Sequence, residues 1–228
     1  MTRHIFYSKM LELLDGRDFK ILLIFLLALL SIPSMVPEMV TQLITINILF
    51  SLVFLIASNC LLLDMKLFYK GIILGFIATT CTWMAYFSPN NSQLILVQNI
   101  AYFLFFSVLL LHILITLFQT SQIDLNIVFG AMNGYIIIGL MGSFLMIMVN
   151  ELYPDAYLYN DDSKLTFYDY IYFSFVNMTT LGFGDIIPKK PPAKGLTVIH
   201  TLIGQLYLTV IVGIMVGKFI VHSSNYKK

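Results

Sequence analysis

The chain has 228 residues, 59% hydrophobic and 11% charged, with a net charge of +1 and a mean hydropathy of +0.88. That balance excludes an ordinary soluble domain, and a charge so close to neutral leaves no electrostatic footprint for a nucleic-acid partner. His4, His112, His200 and His222 are scattered, and no Ser-His-Asp set or phosphate loop accompanies them, so nothing in the sequence points to an enzyme.

At the amino end, Ile5, Phe6, Met10, Leu13 and Leu14 are interleaved with Arg3, Lys9 and Glu12. Residues 1–18 are read as a cytoplasmic amphipathic segment on the inner leaflet, with a solvated extension of the first span as the other reading. Crossing a bilayer takes roughly 20 apolar residues. Six stretches are candidates: about 19–36, 40–63, 71–88, 93–118, 126–149 and 196–221. The first is short and runs into Pro33 and Pro37. Glu12, Asp15 and Asp18 precede it without a small-residue cleavage pattern, which favours a retained helix over a signal peptide.

Residues 19–120 are expected to form a four-helix transmembrane domain. Cys60 and Cys81 fall inside spans and read as small packing residues rather than a disulfide or metal pair. Asn47, Asn59, Gln98 and Asn99 read as hydrogen-bonding groups between helices rather than a ligand site, and His112 as a packed neutral side chain rather than a pH sensor. The fourth span, Gln93 to Phe118, holds no Lys or Arg. Moving one elementary charge is worth about 2.3 kcal/mol per 100 mV, so steep voltage gating is not expected.

Asn150 to Gly195 is too polar at its ends to be a span and too apolar in its middle to be a free loop. A re-entrant helix near 167–179 followed by extended backbone resolves this, because irregular backbone at membrane depth survives only when buried in protein or lining a water path. The negative end of that helix would favour a cation. Next comes Thr179-Thr180-Leu181-Gly182-Phe183-Gly184-Asp185. Glycines at alternate positions allow φ values that a Cβ forbids, and they suit a backbone whose carbonyls all face one axis. Such a column of oxygens can replace the hydration shell of a cation.

Thr180 to Asp185 resembles the selectivity filter of the potassium channel family: Thr, an aliphatic residue, Gly, Tyr or Phe, Gly, Asp. Phe167 to Thr180 resembles that family's pore helix, Pro188 follows Asp185 by three residues, and Gly204 lies nineteen beyond Asp185, at the family's inner-helix hinge. The resemblance is strong from about 125 to 221; before that it is only an arrangement of spans like that of six-helix, single-pore channels of prokaryotic type. It implies that Thr180 offers hydroxyl and carbonyl, and Leu181, Gly182, Phe183 and Gly184 backbone, to K+. Thr179, Asp185 and Tyr172 would support them.

Several positions depart from the family pattern. Phe183 replaces the commoner Tyr, losing a hydrogen bond worth ~1 kcal/mol. Asn177 replaces a frequent Thr, and Val176 stands where some members carry a Glu behind the filter. Tyr172 stands where others have a Trp; it either bonds Asp185 or merely packs. On the last helix Gly204 is the hinge candidate, and Leu208, Val212 and Met215 are candidates for the cavity wall and gate. Gly213 and Gly217 form a Gly-x-x-x-Gly pair suited to close packing. Glu151, Asp155, Asp161 and Asp162 either concentrate cations at the mouth or are solvated turn residues, with Lys189, Lys190 and Lys194 offsetting their field.

Six spans put both termini on one side, with Arg3, Lys9, Arg17, Lys20, Lys66, Lys70, Lys218, Lys227 and Lys228. Basic residues concentrate in the cytoplasm, so cytoplasmic termini in a cell-membrane protein are expected. The short end after the last span leaves no room for a cytoplasmic ligand-binding domain. The expected fold is an all-α membrane protein: six transmembrane helices, a re-entrant pore helix and a selectivity filter, with a pore domain over 121–221 and a tail over 222–228. One pore segment per chain implies a homotetramer in the lipid bilayer. The expected function is passive potassium-selective conduction, with K+ as permeant ligand and no other cofactor. The alternatives are a non-selective cation channel or a non-conducting accessory or receptor protein.

Overall fold

A computed structural model describes residues 19–36, 39–61, 65–88, 91–120, 124–159 and 165–225. The expected amphipathic segment, Asp161, Asp162 and Lys164 lie outside the described residues. The first helix, α1 (Phe19–Ser31), has 13 residues and gives way to a tight 3-10 turn at Pro33–Met35. At 1.5 Å per residue it covers roughly 20 Å, short of a hydrocarbon core of roughly 30 Å. Proline suits that turn because the first donors of a helix have no internal acceptor.

Five further helices are long and apolar enough to cross a membrane: α2 (Met39–Cys60), α3 (Met65–Phe87), α4 (Ser92–Gln119), α5 (Leu125–Leu152) and α7 (Pro191–Asn225). Between α5 and α7 lies the 12-residue α6 (Phe167–Met178). Side chains set several starts. Asn91 Oδ1 accepts the Leu94 N–H at 3.2 Å, and Asp124 Oδ1 accepts that of Ile127 at 2.8 Å, each satisfying a donor the first turn leaves open. α3 begins earlier than expected and carries the exposed Lys70 within it, since a long basic side chain can reach water from a helix end. α7 also begins early, at Pro191–Pro192, where two prolines cost no hydrogen bond.

The all-α expectation misses one element. Tyr157–Tyr159 (β1) pairs antiparallel with Ile186–Pro188 (β2), Tyr157 opposite Pro188 and Tyr159 opposite Ile186. Three residues are too few to show an alternating pattern in the sequence. Asn150 Oδ1 takes the backbone N–H groups of Ala156 and Tyr157 at 3.0 and 3.3 Å, which turns the chain from α5 into β1.

Helices α1 to α5 pack in succession, and α1 also lies on α5, so the five close a ring. α6 and α7 pack on α5 and on each other. One cluster of buried side chains runs from Phe19 and Leu26 of α1 to Ile171 of α6 and Ile211 of α7, so the core does not divide near residue 120. Its middle is aromatic: Tyr102 stacks on Phe144 at 5.4 Å between ring centroids, and Phe50 lies 4.6 Å from Tyr102. Backbone ties add direction. Asn133 donates to the Phe19 carbonyl at 2.7 Å, and the Tyr168 hydroxyl to that of Leu30 at 2.6 Å. Asn59 and Asn99 do not bridge helices; each amide donates to its own helix, to Leu55 O and Ile95 O. Cys60 and Cys81 are not disulfide-bonded, and His112 is buried.

Candidate functional site

The site begins where α6 stops. Its start is held by Asp169, whose Oδ2 accepts both the N–H and the hydroxyl of Thr166 at 2.6 Å. At its end the backbone turns out of the helix while the helix carbonyls are reused: Phe175 O accepts from Thr179 N at 2.9 Å, Asn177 O from Thr180 N at 2.9 Å, and Val176 O from Leu181 N at 3.0 Å and Gly182 N at 3.3 Å. The last carbonyl, Met178 O, accepts from Gln205 Nε2 of α7 at 2.7 Å and from the Tyr135 hydroxyl of α5 at 3.5 Å.

Beyond this, every second residue is left-handed: Thr180 at φ 64°, Gly182 at 54° and Gly184 at 77°. Leu181 and Phe183 between them are not. In a strand successive carbonyls alternate sides; alternating handedness turns them to the same side. For the two glycines this conformation costs nothing in sterics. For Thr180, a β-branched residue, it is a genuine outlier worth about 1–3 kcal/mol of strain. A Cβ built on Gly182 or Gly184 would meet nothing within 4 Å, so it is conformation, not crowding within the chain, that calls for glycine. Residues 179–184 are all exposed, Leu181 at 60% and Phe183 at 67%. An apolar row with open backbone is left uncovered by its own chain.

Asp185 closes the segment. Its Oδ1 accepts the Ile186 N–H at 3.0 Å, and its Oδ2 accepts the Tyr172 hydroxyl at 2.6 Å. Of the two readings of Tyr172, the bonded one is realised. The carboxylate holds the Tyr172 phenol above its ordinary range, with partial burial adding to the shift. Tyr159 donates to Asp169 Oδ1 at 2.5 Å, and burial followed by that bond raises its phenol as well. β1 and β2 thus sit beside a polar collar that ties the strand after Asp185 to α6.

Behind α6, α5 and α7 close in. Ser174 Oγ donates to the Gly139 carbonyl at 2.6 Å and lies 2.8 Å from His200 Nε2. His200 is buried over Gly142, where a Cβ would fall 2.2 Å from its ring. Sequence reasoning passed over Gln205, Ser174 and His200; the one visible signal was the larger polar side chains of Gln205 and His200 in the mostly apolar middle of α7.

The gate candidates are spread differently from expectation. α7 runs unbroken through Gly204, which is buried where a Cβ would sit 2.1 Å from Met178 Cγ. Gly204 is therefore a packing position under the end of α6. Leu208 and Val212 are exposed, whereas Met215 is half-buried and leans on the common core beside Ile211. A Cβ on Gly213 or Gly217 would meet nothing within 4 Å, so neither is closely packed among the described residues. No group of three or more His, Cys, Asp or Glu that could hold a metal is found among the described residues.

Residues 136–221 match the family model described as Ion channel. That stretch is similar to an ion channel domain. It spans most of α5, then α6, residues 179–185 and most of α7, and the family is one of channels, not enzymes. Over 61 residues the chain is 34% identical to the potassium channel protein kcv of Paramecium bursaria Chlorella virus 1. That alignment covers 25% of this chain and 65% of the relative, so the chain spans about two thirds of the relative's length. No solved structure matches. With five helices of spanning length among the described residues, two of them carrying the matched stretch, the chain is a multi-pass membrane protein.

Proposed function

We propose that the chain is one subunit of a potassium-selective channel, in which four copies bring residues 180–184 together around a common axis. The observation that carries this reading is the alternation of left-handed φ at Thr180, Gly182 and Gly184 in a segment its own chain leaves exposed. Carbonyls turned to one side can strip and replace the hydration shell of K+, but only as a closed ring, and one chain supplies one wall. Thr180 offers its hydroxyl and carbonyl, and Leu181, Gly182 and Phe183 offer carbonyls. Thr179, Tyr172 and Asp185 hold the segment in register. The relative named as a potassium channel protein supports K+ as the ion.

α7 supports assembly. Val198, Leu202 and Leu206 form one exposed apolar row, and Ile199, Ile203 and Val210 another. The two rows adjoin on the helix and make one broad apolar face for lipid, the pore or a neighbour to cover. α1 would complete a six-segment arrangement, with 19–120 as a peripheral domain, 121–221 as the pore domain and both termini cytoplasmic. Leu208 and Val212 would face the inner cavity, where an apolar constriction gates by dewetting.

Reconstituted protein is expected to pass K+ far faster than Na+ in a liposome flux assay. Equal permeability would leave a non-selective cation channel; no flux from a well-folded tetramer would leave an accessory protein.

A further inference from the structure

At the end of the bundle that carries β1 and β2, helices α2 to α6 line an open-mouthed cavity of about 540 Å³. Its size falls within the range of small-molecule sites, about 300–1,000 Å³. Most of its wall is apolar, including Leu43 and Ile95, but Asn47, Gln98, Asn99 and Glu151 break that wall. Apolar walls with a few polar groups are what a ligand of mixed character requires.

The polar groups fix the sign of that ligand. Glu151 is the one carboxylate, Tyr86 and Tyr170 supply phenols, and no Lys, Arg or His is among the described residues that line the cavity. Glu151 accepts a hydrogen bond from Ser92. Asn99 is 2% exposed, and its amide nitrogen is committed to Ile95 O at 2.7 Å, which leaves Oδ1 as the outstanding group. That oxygen has no hydrogen-bond partner. A buried acceptor without a donor costs about 1–3 kcal/mol; the oxygen is closed off from the cavity as it stands, and a turn of the Asn99 side chain would bring it to a donor held there. An anion would face the Glu151 carboxylate with no counter-charge. A purely apolar molecule would leave the amides and the carboxylate uncompensated.

We propose that this cavity binds an amphiphilic organic ammonium: a cationic, hydrogen-bond-donating head at Glu151 and Asn99, and an apolar body along the walls from α2 and α4. The same chemistry is carried by a free long-chain amine and by the amine headgroup of a lipid. The proposal concerns the seam between the peripheral helices and α5 and α6, and does not rest on conduction.

The test uses the full-length protein in phosphatidylcholine nanodiscs, with octylamine as probe, octanol and octanoate as uncharged and anionic controls, and the thermal unfolding midpoint as readout. Octylamine should raise the midpoint saturably; octanol should act only weakly and octanoate not at all. Glu151→Gln should weaken the apparent octylamine affinity ~10-fold, as expected for loss of one bond to a charged group. Ala85→Phe, which fills the cavity from α3, should abolish the response. Repeating the titration in nanodiscs containing phosphatidylethanolamine separates the sources. If the response is lost there, the occupant is the lipid amine; if it persists, the occupant is a free amine. Equal responses to octylamine and octanol in the wild-type protein would overturn the proposal, and that comparison needs no variant to fold. So would an octylamine response untouched by both substitutions, which would leave a cavity that holds water alone.

Discussion

The Tyr172 hydroxyl donates to Asp185 Oδ2 at 2.6 Å, joining the second turn of α6 to the residue that ends the 180–184 segment. The two are thirteen positions apart, and everything between them is the end of the helix and the left-handed alternation. The bond fastens the far end of the segment to the helix that begins it. Val176 provides no carboxylate, so the phenol does this work alone.

Tyr172→Phe therefore removes one charge-assisted bond near the surface, worth ~1 kcal/mol after solvent screening. Single-channel recording should show open dwell times shortened several-fold with conductance little changed. Asp185→Asn should do the same, and the double substitution should be no worse than either alone. Additive effects would mean that the two residues act separately.

Gly182→Ala should abolish selective K+ flux. At φ 54° a Cβ costs roughly 1–2 kcal/mol, and the repair is to rotate the peptide, which turns a carbonyl out of line. Crowding is no part of this, since nothing lies within 4 Å of that Cβ. Retained K+ over Na+ preference in liposomes would show that 180–184 is not the selective segment.

Gly204 tests a different kind of glycine. A Cβ there would lie 2.1 Å from Met178 Cγ, so Gly204→Ala presses on the residue whose carbonyl Gln205 holds. Overpacking of this kind costs typically 1–3 kcal/mol. Both the thermal stability of the assembly and the K+ over Na+ preference should fall, and Met178→Ala in the same chain should restore them. A change confined to open probability, unaffected by Met178→Ala, would mean that Gly204 acts as a hinge.

Much of this was legible because it is local chemistry. The aromatic run from Phe167 places α6, although its cap by Thr166 and Asp169 went unread, and the Gly-x-Gly spacing dictates backbone handedness wherever the chain folds. Long apolar runs give spans without reference to neighbours, although α1 came out short because Pro33 tightens the chain. What depends on how helices rotate against one another was not legible. Ser174 meets His200 across 26 positions, and Met178 meets Gln205 across 27, only because α7 turns that face toward α6. Asn47, Gln98 and Asn99 read as bridges between helices; Asn99 instead bonds within its own helix, and the three line a cavity. Met215 shares a stripe with Leu208 and Val212 in sequence, yet the crossing of α7 over α5 buries it in part.

Lys218 carries the last prediction. Near the far end of α7 its ammonium donates to Leu117 O at 2.8 Å, Phe118 O at 3.0 Å and Thr120 O at 2.6 Å. These are carbonyls at the end of α4, where the helix leaves its last acceptors open, and a cation there also meets the negative end of the helix dipole. α4 holds no Lys or Arg, so it has no basic charge of its own to move with the membrane potential. This contact ties the end of α4 directly to α7. Lys218→Met should raise hydrogen exchange in residues 117–120 and shift open probability by roughly tenfold or less, the span of ~1 kcal/mol for a cation at a helix terminus. Ion preference should not change, because residues 180–184 lie at the other end of α7. Lys218→Arg, which keeps the charge and the donors, should stay close to the wild-type protein. The conductance–voltage curve should be shallow in all three. A steep curve in the wild-type protein, or a Lys218→Met variant with unaltered opening and unaltered exchange, would remove α4 and Lys218 from any account of gating.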